Sequence, residues 1–278
     1  YLKVYVDGVE QEDVLLDEKM QTVTLAEGLD PNVTHRVEVR KRNSPRSSTA
    51  GLVQLEVTGG KKLAPANAND RLIEFVGDSL TVGYSAADTN KTATAWSTAT
   101  EDATKTYSKQ VADGLNADYM VTAISGRGVV MNNSGGDGYL LPEIYPQQDI
   151  YNLPDVPYDF ALQPQVIVIN LGTNDATNAG LNMDTFQNGV YDFIHLVRQK
   201  NPNAQIIWAY GLRTDKMTTQ VAAAIQAAVA QHNAQGDAKV HYVPLAVAQE
   251  MHLNHPTAAA YAPAGETLIE KIKEITGW

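Results

Sequence analysis

The chain has 278 residues, 44% of them hydrophobic and 19% charged, which allows one large domain or two smaller ones with a sizeable core. A formal charge of -11 argues against a nucleic-acid partner, since binding a polyanion takes clustered Lys and Arg to displace counterions. The absence of cysteine removes disulfides, thiolate nucleophiles and thiolate metal sites, and no apolar run approaches the ~20 residues of a membrane span.

Residues 1–62 read as short antiparallel strands. Leu2, Val4 and Val6 alternate with polar or amphipathic neighbours, and so do the stretches 22–25, 36–40 and 53–58. Turn signals at Asp7-Gly8, Glu27-Gly28, Asp30-Pro31 and Asn43-Ser44-Pro45 separate them, so the pattern predicts a small sandwich or jelly roll packed against its neighbour. The basic cluster Arg40-Lys41-Arg42, with Arg46 nearby, is expected to form a solvated edge. The first residues do not read as a signal peptide and begin inside a strand pattern, which points to a mature or trimmed form. Residues 63–70 form a plausible linker.

From residue 71 to 278 the pattern changes. Apolar strands are expected at 72–76, 119–124, 166–171, 206–210 and 240–243, with helices at 104–116, 184–200, 216–235 and 263–276. Phe186, Val190, Phe193, Ile194 and Val197 share one face of the second helix. Near-continuous apolar strands alternating with amphipathic helices predict an α/β domain of three layers, its parallel sheet covered on both sides. Such sheets place their sites at the carboxyl ends of the strands. The segment 127–160, rich in Gly, Pro, Asn, Asp and Tyr, is expected as a long functional loop.

The chemistry is concentrated at strand ends. Ser79 follows the apolar run 72–76 within Gly77-Asp78-Ser79-Leu80, where a serine is either a nucleophile or a helix cap. Acyl transfer also needs a base and oxyanion donors. The N–H groups of Ser79 and Gly126 and the amide of Asn174 are candidate donors, against turn and loop-capping alternatives. Among the histidines, His35, His195, His232 and His241 fall in strand or helix patterns and are expected to be structural. His255, in a loop followed by Pro256, is the best base. His252 and His255 make a weak metal pair without nearby carboxylates, so no metal is expected and no cofactor is needed. Trp208, Tyr84, Trp96 and Tyr139 are candidate sugar platforms, each with core packing as the alternative.

The ordered blocks Gly77-Asp78-Ser79, Ser125-Gly126-Arg127-Gly128, Gly172-Thr173-Asn174-Asp175 and His255-Pro256 resemble those of the SGNH, or GDSL, hydrolase superfamily over residues 71–278. Ser125–Val130, the Gly135-Gly136-Asp137 turn, Leu141–Pro146 and the leading β region resemble carbohydrate esterase family 2 more narrowly. That resemblance implies a jelly-roll domain before a flavodoxin-like SGNH domain, and removal of acetyl groups, with 6-O-acetyl of hexose units preferred, from plant polysaccharides. It implies an acetylated carbohydrate as partner and a secreted bacterial protein, with a cytoplasmic one as the alternative, while the charge and the lack of a long apolar run argue against nucleic-acid and membrane partners. One departure stands out. Three residues before the base, where most relatives carry an aspartate, this chain has His252, so another acceptor must orient His255. Family 2 includes Ser–His dyads in which a backbone carbonyl takes that part. A lipase or thioesterase of the same superfamily and a lapsed carbohydrate-binding protein stay open as alternatives, and the oligomeric state is open too.

Overall fold

The computed structural model describes residues 1–46, 49–63, 70–214 and 217–278. Its first strands form an open antiparallel sheet in which β1 (Leu2–Val6) lies between β2 (Val9–Glu10) and β3 (Val37–Lys41). Asp7 and Gly8, both at positive φ, make the two-residue turn between β1 and β2. Leu2 adds an isolated bridge to Val14.

Two expectations for this region are corrected. The stretches 22–25 and 53–58 form no ladder, and Val53, Leu55 and Val57 stay exposed. Alternation is only a propensity, and among the described residues no backbone lies alongside to pair with them. Nor is the basic run a solvated edge, for Arg42 is only 4% exposed. Its guanidinium pairs with Asp13 and lies 3.6 Å from Asp102, which Lys3 also approaches at 3.9 Å. Lys3 in turn bonds Glu10 at 2.6 Å and Asp13 at 2.5 Å. Because Asp102 has no solvent exposure, the amino-terminal sheet supplies the counter-charges of a carboxylate buried in the second region.

Of the expected linker, residues 64–69 lie outside the described residues. The second region then runs β4 (Leu72–Gly77), α1 (Ser79–Val82), a 3-10 turn at Ala103–Lys105, α2 (Tyr107–Gly114) and β5 (Asp118–Ala123). Part of the expected long loop is ordered as α3 (Leu141–Ile144) and a hairpin of β6 (Gln147–Asp149) and β7 (Leu153–Pro157). There follow β8 (Val166–Asn170), α4 (Thr173–Ala176), α5 (Met183–Lys200), β9 (Gln205–Leu212), α6 (Thr218–Ala234) and β10 (Val240–Val247). A hairpin of β11 (Met251–His252) and β12 (His255–Pro256) precedes the last helix, α7 (Ala262–Thr276). The expected helix at 216–235 is α6, and residue 216 lies outside the described residues.

The five long strands are parallel in the order β10-β9-β8-β4-β5. Period-two alternation sends Ile73, Phe75, Val166, Val168 and Ile207 to one face, where Tyr107 and Val111 of α2 and Leu268 and Ile272 of α7 cover them. Val76, Ile167, Ile169, Ile206 and Trp208 face the other way, against Phe186, Val190, Phe193 and Val197 of α5 and Val221 and Ile225 of α6. Burial on both faces is why the inner strands β4, β8 and β9 are largely apolar, each large side chain contributing about 2 kcal/mol. The strand order reverses between β4 and β8, which opens a crevice at their carboxyl ends.

Candidate active site

At the end of β4 the backbone turns so tightly that a Cβ on Gly77 would sit 1.9 Å from Thr81 Oγ1, a fit only glycine allows. Asp78 caps α1 by accepting from the Leu80 N–H at 2.9 Å. Ser79 is thereby held as the first residue of the helix, 6% exposed, at the rim of the crevice.

The hairpin of β11 and β12 brings His255 to it. Leu253 and Asn254 lie between the two strands with φ of 48° and 59°, both left-handed, as a tight two-residue hairpin turn demands. This turn places the Leu253 carbonyl 2.8 Å from His255 Nδ1. A carbonyl only accepts, so Nδ1 carries the proton and Nε2 is left bare. Nε2 lies 2.8 Å from Ser79 Oγ and accepts from its hydroxyl. Burial, with a smaller contribution from the Arg213 charge, lowers the pKa of His255 to about 4, so the ring is neutral near pH 7. His252 faces elsewhere: its Nε2 lies 3.2 Å from Asp88 Oδ2, and its carbonyl accepts from Ser85 Oγ at 2.8 Å.

The loops after β5 and β8 meet on the other side of Ser79. Gly126 adopts φ 82° in the turn after β5. Asn174, the second residue of α4, donates through Nδ2 to Asp78 Oδ2 at 2.9 Å and to the Arg127 carbonyl at 2.8 Å. Both amide hydrogens are therefore in use, one tying α4 to the Ser79 turn and one to the Gly126 loop. Asp175 accepts from the N–H groups of Val129, Val130 and Met131 at 2.8 to 3.0 Å, which fixes that loop. Among the described residues no group of three His, Asp or Glu is placed to hold a metal ion.

The model of the GDSL-like lipase/acylhydrolase family matches residues 75–262. The chain belongs to that family. A second model, the carbohydrate esterase 2 N-terminal region, matches residues 1–66. The chain is 30% identical over 293 residues to the cellulase/esterase CelE of Acetivibrio thermocellus, a match covering all of this chain and 34% of that protein. It is 32% identical over 217 residues to an acetylxylan esterase / glucomannan deacetylase of Cellvibrio japonicus, covering 71% of this chain and 57% of the relative. The chain thus spans about a third and somewhat over half the length of these two curated relatives. A family two carbohydrate esterase from Clostridium thermocellum, solved in complex with cellohexaose, superposes with a TM-score of 0.91 at 28% identity, over all of this chain and 86% of that one.

Within this GDSL-family fold the four aromatic candidates part company. Trp208 is fully buried, packs edge-on against Phe193 and donates its indole N–H to the Leu171 carbonyl, so it is core and does not meet substrate. Its strand is central and both faces are covered, which the sequence pattern at 206–210 already implied. Tyr139 is exposed and stands edge-on to Tyr151 at 6.2 Å. Tyr84 stacks on the His255 ring with centroids 4.3 Å apart, and Trp96 stacks on Tyr84 at 5.9 Å.

Asp78 and Asp175 are functional neighbours that sequence reasoning quoted in their motifs without giving them work. Each is an acidic residue beside a candidate site residue, and each is completely buried. Burial, reinforced by Asp175, pushes Asp78 up to about 7, while the Leu80 N–H and Arg213 pull it down. Burial likewise raises Asp175 against the pull of its three backbone donors.

Proposed function

We propose that this chain is a serine esterase that releases acetate from acetylated carbohydrate, with His255 as base and Ser79 as nucleophile. The observation that carries this reading is the relay Leu253 C=O to Nδ1–H and Nε2 to Ser79 Oγ–H, both at 2.8 Å. The hydroxyl proton passes to Nε2 as Oγ bonds the acetyl carbon, and the carbonyl π pair moves onto oxygen. The N–H groups of Ser79 and Gly126 receive that oxyanion. The Asn174 amide joins them by sharing the hydrogen it now donates to the Arg127 carbonyl. Collapse breaks the ester C–O bond and the sugar oxygen takes the imidazolium proton. Water then attacks the acetyl-enzyme by the same route and frees acetate.

Three further parts belong to the proposal. Substrates are plant cell-wall polysaccharides or their oligosaccharides, with 6-O-acetyl hexose units preferred. Residues 1–62 are an accessory β domain, 63–70 a linker and 71–278 the catalytic domain. The protein works outside the cell. Similarity to esterases named for acetylxylan and glucomannan, and to one solved with cellohexaose, supports the substrate class.

Acetate release from acetylated glucomannan, acetylated xylan and p-nitrophenyl acetate, and hydrolysis of a long-chain p-nitrophenyl ester, with wild type and Ser79→Ala side by side, test it. Turnover by the wild type that vanishes in Ser79→Ala is expected. Equal turnover by both would remove Ser79 from the reaction, and a preference for long-chain acyl esters would move the chain to the lipase alternative.

A further inference from the structure

When Nε2 takes the serine proton, His255 becomes an imidazolium inside a buried site. Among the described residues neither ring nitrogen bonds a carboxylate, since Nδ1 meets the Leu253 carbonyl and Nε2 meets Ser79. Of the carboxylates beside the hairpin, Asp88 is turned to His252, and Glu250 to Lys91 and Thr257. Arg213 adds a positive charge to the surroundings of His255. A carbonyl can orient the ring, yet it offers the new cation only a dipole. Something else must face the charge.

The group that does so is Tyr84. Its ring lies 4.3 Å from the imidazole centroid with the planes 25° apart, within the range at which a π face attracts a cation. The geometry points to Tyr84 as a positioning residue of the acyl transfer: its aromatic face fixes the plane of His255 and stabilises the imidazolium where relatives of this architecture use an aspartate. The placement is built in. Tyr84 follows α1 by two residues, so the helix that sets Ser79 also sets the ring. Trp96 stacks on Tyr84 with planes 28° apart, and the Tyr84 carbonyl accepts from Thr100 Oγ1 at 3.2 Å. The loop bearing Trp96 is held in turn by Arg42 and Asn43, which donate to the Ala99 and Thr98 carbonyls at 2.9 and 2.8 Å. This assignment replaces the expectation that Tyr84 is a sugar platform, because its face is taken by His255.

The inference rests on the proposed dyad and fails separately from it. Wild type, Ser79→Ala, Tyr84→Phe, Tyr84→Leu and Tyr84→Met are compared on p-nitrophenyl acetate, which carries no sugar, and on acetylated glucomannan, with folding checked by circular dichroism. Loss of activity in Ser79→Ala alone tests the dyad. Tyr84→Phe keeps the π face and is expected within about twofold of wild type in kcat. Tyr84→Leu, or Tyr84→Met if leucine misfolds, keeps apolar bulk without the face. It is expected to lose about tenfold in kcat on both substrates, the equivalent of ~1.4 kcal/mol, with KM for the small ester unchanged. A wild-type kcat in Tyr84→Leu overturns the assignment. So does a rise in KM for glucomannan alone, which would return Tyr84 to sugar binding, and so does an equal loss in Tyr84→Phe, which would move the effect to the hydroxyl.

Discussion

His255 Nε2 and Ser79 Oγ are 176 positions apart in the chain and 2.8 Å apart in space. His255→Ala and Ser79→Ala are each expected to lower acetate release by about a thousandfold or more, since each removes a member of one proton relay. His252→Ala should keep most of the activity, because its ring pairs with Asp88 and not with Ser79. Initial rates on p-nitrophenyl acetate decide this, and comparable losses at 252 and 255 would contradict it.

The pH profile should reflect a buried base. His255 is lowered to about 4, chiefly by burial, and only its neutral form accepts the serine proton. Activity per enzyme, as kcat/KM, is therefore expected to stay level down to about pH 5 and to fall through about pH 4, instead of failing near the ordinary histidine value of ~6.5. A midpoint near that ordinary value would show that water reaches the ring.

Stability should respond to Asp78 with the opposite sign. His255 titrates lower in the folded chain than in the unfolded one, so its contribution is full above ~6.5 and is lost as pH falls toward 4. Asp78 is raised from 3.8 to about 7, so the folded state holds its proton longer and stability is lost as pH rises through that window. The two effects oppose each other between pH 4 and 6.5. Asp78→Asn removes one of them. Relative to wild type, its stability toward urea should increase from pH 4 to pH 8, by a few kcal/mol, on the order of 3. A pH-independent difference would mean that Asp78 stays ionised.

Asp175 holds three backbone N–H groups of residues 129–131, and removing it leaves these buried and part-buried donors unsatisfied. Asp175→Ala is expected to cost about 1–3 kcal/mol or more of stability and to lower kcat roughly tenfold or more by releasing the Gly126 loop. Urea denaturation and single-substrate kinetics on the same preparation check both halves. Retained kcat in a destabilised variant would confine Asp175 to folding.

How far the sequence showed this in advance varies with the kind of force at work. The strands expected at 166–171 and 206–210 were legible because burial on two faces leaves a nearly unbroken apolar run, and the five faced residues of α5 were legible because they all pack inward. The places of Ser79 and Asn174 were legible because the sites of parallel sheets lie at strand ends, and His255 stood out as the histidine in a loop before the last helix. The Leu253 carbonyl could not be named in advance, since every residue has one and only the hairpin turn aims this one. Arg42 looked like surface because a sequence does not show which acid waits across an interface. Its burial depends on Asp102, sixty positions later. The segment 53–58 misled for the converse reason: it has the alternation of a strand and, among the described residues, no neighbour to pair with.

Arg42→Ala should be among the most costly changes outside the crevice. It leaves Asp13 and Asp102 short of a cation in a buried setting, a loss of about 3 kcal/mol or more. Thermal unfolding measures it, and a change under ~1 kcal/mol would show that the carboxylates simply take up protons. The same cage has a meaning for protein engineering. A chimera that grafts foreign strands onto residues 71–278 inherits a sealed anion with none of its original counter-ions, so a working hybrid must import cations at the places of Lys3 and Arg42 or neutralise position 102.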